Sequence, residues 1–158
     1  MPDYFPLVKG AVRGYVIDGA RPGSFTIEIL DVAATVATTT AKCRRTIKRP
    51  GEPARIDEFT VTKDSEGVRS GPDVEFNFPI KIGAEWISPP RRFWIESLDA
   101  AVETPAGKFT GCLQVAYLIA EGDGGSGERF YAPGVGLVKV VENDEAEPFT
   151  WLLLKKSR

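Results

Sequence analysis

Two runs of alternating side chains constrain this chain most. Phe25, Ile27 and Ile29 alternate with Thr26 and Glu28, and Leu113, Val115, Tyr117 and Ile119 alternate with Gln114 and Ala116. A period of two puts one set of side chains on each face of an extended strand, whereas a helix needs a period of 3.6. Turn signals interrupt the strands at short intervals: Asp18-Gly19, Arg21-Pro22-Gly23, Arg49-Pro50-Gly51, Gly71-Pro72-Asp73, Pro89-Pro90, Pro105-Ala106-Gly107, Pro133-Gly134 and the GDGGSG run from Gly122 to Gly127. About ten or eleven strands fit between them. The one helix candidate, Asp31 to Lys42, carries Thr35, Val36, Thr38, Thr39 and Thr40, whose β-branched side chains favour extended backbone. It reads as strand or loop.

Self-similarity organises these strands. Phe5-Pro6-Leu7-Val8-Lys9-Gly10-Ala11 returns as Phe78-Pro79-Ile80-Lys81-Ile82-Gly83-Ala84, and FTIEILDVA from Phe25 returns as FWIESLDAA from Phe93. Cys43 and Cys112, Phe59 and Phe130, and Gly67 and Gly136 follow in the same order. The expectation is a single domain over 1–158 made of two tandem halves, about 5–72 and 76–142, with 148–155 as a closing strand beside the first one. The fold predicted is all-β: an antiparallel barrel, or a half-open curved barrel, in which each half covers the apolar face of the other.

Composition bears on function mainly by exclusion. A chain of 158 residues can bury a core without disulfides or metal, and no apolar stretch is long enough for a membrane span. A net charge of −2 offers no general attraction to nucleic acid. The absence of histidine removes the commonest general base and metal ligand, and two cysteines cannot build a four-cysteine zinc site. No cofactor motif is present: GVGL at Gly134 lacks a following helical pattern, and GDGGSG lacks the Lys-Ser/Thr of a phosphate loop and reads as a flexible hairpin tip. The N-terminal MPDYFPLVKGAV has neither a basic nor an apolar signal region, so the chain is cytoplasmic unless an export signal has been removed, in which case it belongs to the periplasm or envelope.

Three groups of residues stand out as functional candidates. Glu28 with Asp31, and Glu96 with Asp99, are carboxylate pairs of the kind a glycan hydrolase uses, although their presence in both halves suits strand ends and their turns better. Lys42, Arg44 and Lys48 share one face of a strand and form the basic cluster with Arg45 and Arg49. The strand aromatics either fill the core or line a cavity; Trp86, Trp94, Tyr117 and Tyr131 are the residues expected to meet a ligand. Thr104-Pro105-Ala106-Gly107 reads as a three-residue hairpin loop with a bulge rather than an active-site loop, and Ala132-Pro133-Gly134-Val135 as a type II turn. Cys43 and Cys112 read as buried thiols.

Taken together, FPLVKGAVRGY, TPAGKFTGCLQV and FYAPGVGLVKVVE resemble a family of bacterial β-proteins known as putative lipoproteins or TapB-like envelope proteins. That family carries an FPL-x-x-G-x-x-W-x-Y opening, a PAG-x-F-x-x-C-x-x-V middle and a YAPGVGLV segment. Here the tryptophan place after Gly10 holds Arg13 while Tyr15 is kept; after Gly83, Trp86 is kept and Ser88 takes the tyrosine place. The resemblance implies a fold and an envelope association but no established catalytic residues; the function expected is that of a non-enzymatic, envelope-associated, β-barrel-like protein that binds a small apolar ligand or a protein partner. A glycan hydrolase and a structural assembly subunit are the alternatives.

Overall fold

In the computed structural model, which describes residues 1–157, the alternation becomes twelve antiparallel strands in one sheet. They are β1 Val12–Gly19, β2 Gly23–Ala34, β3 Thr39–Lys48, β4 Arg55–Lys63, β5 Gly67–Ser70, β6 Asp73–Asn77, β7 Glu85–Ser88, β8 Arg91–Thr104, β9 Gly107–Ile119, β10 Gly125–Ala132, β11 Gly136–Asp144 and β12 Phe149–Ser157. The count exceeds ten or eleven because β5, β6 and β7 span only four or five residues each, too few for alternation to register. The helix candidate splits between the end of β2 and the start of β3, as its β-branched residues favour.

Each strand pairs with its sequence neighbours except at two places. The spatial order runs from β6 through β1, then β12, and on to β7. β12 therefore pairs along β1, with Leu153 opposite Tyr15 and Trp151 opposite Ile17. The ends of the sheet, β6 and β7, approach without a backbone ladder, leaving a nearly closed barrel with one seam. A bond from Val74 N to Ser88 Oγ at 3.4 Å crosses that seam.

Similar backbone bonds precede β1 and β7. Gly10 N donates to Ile29 O, Ile29 N to Ala11 O and Ala11 N to Val8 O; Gly83, Ile95, Ala84 and Lys81 repeat the pattern. Counted from these bonds, Phe93 stands level with Ile27, two residues away from its match by similarity, Phe25. Each phenylalanine nevertheless stacks on an aromatic ring of the preceding strand, Tyr15–Phe25 at 4.7 Å and Trp86–Phe93 at 5.6 Å.

Residues of like parity on paired strands form two apolar clusters. One gathers Phe76, Trp86, Phe93, Ile95, Leu113, Tyr117 and Tyr131; the other gathers Tyr15, Phe25, Val102, Cys112, Val138 and Leu153. The second depends on a projecting hairpin. β8 and β9 remain paired to Thr104 and Gly107, beyond the end of the β9–β10 ladder at Leu113, and bulges along β8 bend the arm back. Ala106 N at its tip then bonds Leu153 O at 3.2 Å. The loop holds two residues, not three: Thr104 pairs directly with Gly107, and Thr104 Oγ1 accepts from Ala106 N at 3.1 Å. At Ala132–Val135, Gly134 takes φ +72° and Val135 N bonds Ala132 O, as a type II turn requires. Gly125 to Gly127 belong to β10 rather than to a flexible tip. A Cβ on Gly127 would lie 2.2 Å from the Tyr117 ring, so only glycine admits that ring.

Candidate functional site

The barrel is hollow on one side. A cavity of about 370 Å³ lies against β1 to β4, with Phe5 and Leu7 of the N-terminal segment, Tyr117 and Arg129 of the far wall, and Trp151 of β12 around it. The N-terminal segment is tied in place by Gly134 N to Asp3 O at 2.8 Å, Lys63 Nζ to Asp3 Oδ1 at 2.7 Å and the buried Tyr4 ring. Phe5 meets Phe76 and Tyr131 at 6.4 and 6.2 Å between ring centroids.

Strand register arranges the wall in rows. One row is apolar: Ile29, Cys43 and Phe59 stand opposite one another on β2, β3 and β4. The next carries charge: Arg13, Ile27, Arg45 and Asp57 lie in sequence across β1 to β4. Beyond them Tyr15 stacks on Phe25, and Trp151 meets Phe25 edge-on at 4.9 Å.

Most of the charges in and beside this space are internally matched. Arg45 grips Asp57 through Nε and Nη2 at 3.2 and 3.1 Å, with side chains 38% and 48% exposed, which places the pair at the mouth. Deeper, Arg129 Nη1 lies 3.5 Å from Glu75 Oε2, which also accepts from Tyr131 OH at 3.2 Å. The Arg129 guanidinium sits over the rings of Phe93 and Tyr117, at 4.9 and 5.4 Å. Behind Tyr117, Glu142 Oε1 accepts from Tyr117 OH at 2.8 Å and from Arg91 Nη2 at 2.9 Å. Burial, and then the Glu142 charge, push the Tyr117 phenol well above its usual range; burial and Glu75 do the same to Tyr131. Burial lifts the Cys43 thiol to about 11, with Arg13 opposing part of the rise, so Cys43 is an unreactive wall residue at neutral pH. Cys43 and Cys112 are both free and buried.

The four aromatics expected at a ligand site are dispersed. Tyr117 lines the cavity, and Tyr131 stands behind Glu75 and orients it. Trp86 is buried against Phe93 with its indole N–H unpartnered. Trp94 does not line the cavity: it donates to Glu96 Oε2 at 2.6 Å under Arg92. The carboxylate pairs lie elsewhere, with Glu28 near Arg44, Asp31 near Lys9, and Glu96 and Asp99 exposed. The basic cluster is largely neutralised by β4, through Lys42–Glu58, Arg44–Glu58 and Arg45–Asp57.

Sequence reading missed the charged lining of Arg13, Arg45, Asp57, Glu75 and Arg129. Parity was the available signal, since Arg13 shares the phase of Tyr15 and Ile17, and Arg45 that of Cys43 and Ile47.

This architecture defines a class, an antiparallel barrel with a single seam and an internal cavity, and two solved structures share its fold. A putative exported protein with a YmcC-like fold from Bacteroides fragilis superposes with a TM-score of 0.73 at 12% identity, over 100% of each chain. A putative lipoprotein from Parabacteroides distasonis superposes with a TM-score of 0.66 at 14% identity, over 99% of each chain. No protein-family model matches the chain, and no curated protein matches it in sequence. Among the described residues, no helix is long and apolar enough to cross a membrane.

Proposed function

We propose that the chain is a non-enzymatic binding protein of the bacterial cell envelope, holding a small apolar ligand in the barrel cavity. The cavity carries this reading: about 370 Å³ falls within the roughly 300–1,000 Å³ of small-molecule sites, and apolar side chains such as Phe25, Ile27, Ile29, Phe59 and Trp151 line it beside the charged ones. The envelope assignment rests on the fold shared with proteins described as exported and as a lipoprotein. It agrees with the resemblance of FPLVKGAVRGY, TPAGKFTGCLQV and FYAPGVGLVKVVE to TapB-like envelope proteins. The hydrolase alternative loses its candidates, because neither Glu28 with Asp31 nor Glu96 with Asp99 faces the concave space.

Titration with the neutral fluorophore N-phenyl-1-naphthylamine tests the cavity. One equivalent should bind and quench Trp151, and Ile27→Trp, which fills the space, should abolish uptake. Absence of uptake by the wild-type protein would overturn the reading.

A further inference from the structure

Four arginines reach into the barrel, and three meet a carboxylate: Arg45 with Asp57, Arg129 with Glu75 and Arg91 with Glu142. Arg13 is the exception. Among the described residues no carboxylate lies within ion-pair distance of it, and its one protein acceptor is Pro6 O, 3.1 Å from Nη2. Asp73 also lines the cavity but is exposed at the β5–β6 turn.

Arg13 is also held in position. A Cβ on Gly136 would fall 3.3 Å from both Cζ and Nη2 of Arg13, so the guanidinium rests flat on a glycine backbone whose φ of +102° other residues resist. The nearby Tyr15 hydroxyl is committed to Leu137 O at 2.8 Å. Ile27 separates Arg13 from Arg45 in the row, and Nη2 is the one Arg13 nitrogen with a protein acceptor. A half-buried, immobilised guanidinium is a strong and directional partner for a planar or tetrahedral anion, and it costs stability while its charge is unmatched.

Resting on the proposed cavity function, we infer that Arg13 anchors the head group of the ligand, an amphiphile with one anionic head, carboxylate or phosphate. Its apolar tail lies along Ile29, Phe59, Phe25 and Trp151. The internal pairs Arg45–Asp57 and Arg129–Glu75 keep their own charges occupied, so Arg13 alone sets the preference for an anion.

Displacement of bound N-phenyl-1-naphthylamine by decanoate, decyl phosphate, 1-decanol and decyltrimethylammonium tests this at neutral pH. In the wild-type protein at least one anion should displace the fluorophore at a tenfold lower concentration than the alcohol or the cation. The better anion identifies the head. Equal potency of all four would overturn the inference while leaving the cavity intact, and failure of the wild type to take up the fluorophore would remove both. Arg13→Gln should reduce the anion–alcohol gap below threefold, and Arg13→Lys should retain part of it. Persistence of the gap in Arg13→Gln would assign the anchor elsewhere. The wild-type comparison decides the preference even where a variant folds poorly.

Discussion

β1 to β6 and β7 to β12 run through the same succession of strands, yet one half walls a cavity and the other is filled. The difference appears at matched places. Three residues after Gly10 stands Arg13, and three after Gly83 stands Trp86; two residues further on stand Tyr15 and Ser88. In the second half Trp86 packs on Phe93, and Phe93 on Tyr117 at 5.1 Å, so aromatic rings occupy the interior. In the first half Arg13 faces Ile27, and the aromatic stack moves to Tyr15 and Phe25. We read the halves as copies of one sheet, supported by their matching Gly10 and Gly83 bonds. On that reading Arg13 and Ile27 stand where the second half has Trp86 and Phe93, and the cavity lies beside them.

The largest effect should come from the filled half. Phe93 is 1% exposed and touches both Trp86 and Tyr117, so Phe93→Ala should lower unfolding free energy by about 3–5 kcal/mol. Phe59, half-buried on the cavity wall, already faces empty space, and Phe59→Ala should cost less than about 1.5 kcal/mol. Urea denaturation of both variants compares the halves directly. Equal losses would break the contrast between a filled and a hollow side.

Next in size is Glu142→Gln. The Glu142 side chain is 7% exposed and its partner Arg91 28%, so removing the charge leaves Arg91 largely unmatched beside Tyr117. A loss of about 2–3 kcal/mol is expected in the same measurement, below the full cost of a broken buried pair because water reaches part of Arg91. A neutral result would show that Tyr117 and its neighbours are held by packing alone.

The fold was legible in residues such as Phe25 to Ile29 and Leu113 to Ile119 because alternation is a local property of strands. The cavity was not, because an inward arginine and an outward one look alike until the register is known. Arg129 meets Glu75 across the barrel, 54 positions away in sequence, and no local pattern links them. The two-residue displacement of Phe93 from the level of Phe25 is similarly invisible, since a slide of two keeps every side chain on its own face. Gly127 was partly readable: a glycine on the inward phase of a strand marks a place where another group comes close, here the Tyr117 ring.

An alkaline titration separates the halves by a smaller effect. The Cys43 thiol ionises near 9 in the unfolded chain and at about 11 in the folded one. Below pH 9 both states hold the proton and the thiol does not affect the balance. As pH rises from 9 to 11 the unfolded state is favoured, and stability falls by an amount on the order of 1–2 kcal/mol. Cys43→Ala should shrink the fall in that window. Tyr117→Phe loses its bond to Glu142 at every pH, but should alter the pH dependence only above about pH 10, where the unfolded phenol begins to ionise and the folded one, raised by burial and Glu142, does not. Thermal melts at half-unit pH steps would resolve the two onsets, and coincident onsets would contradict the assigned burial.

The smallest change belongs to the cavity mouth. Arg45 and Asp57 form a two-point ion pair, but both side chains are more than a third exposed and remain solvated. Coulomb attraction is weak under those conditions, and holding two side chains in one geometry offsets much of it. Asp57→Asn should therefore cost less than about 1 kcal/mol in urea, and the loss should fade in 0.5 M salt, whereas the Glu142→Gln loss should persist. The same variant frees a second guanidinium one place beyond Ile27 from Arg13. If Arg13 alone selects the anionic head, Asp57→Asn should tighten decanoate by no more than threefold. A tenfold gain would move the selective charge from the wall to the mouth.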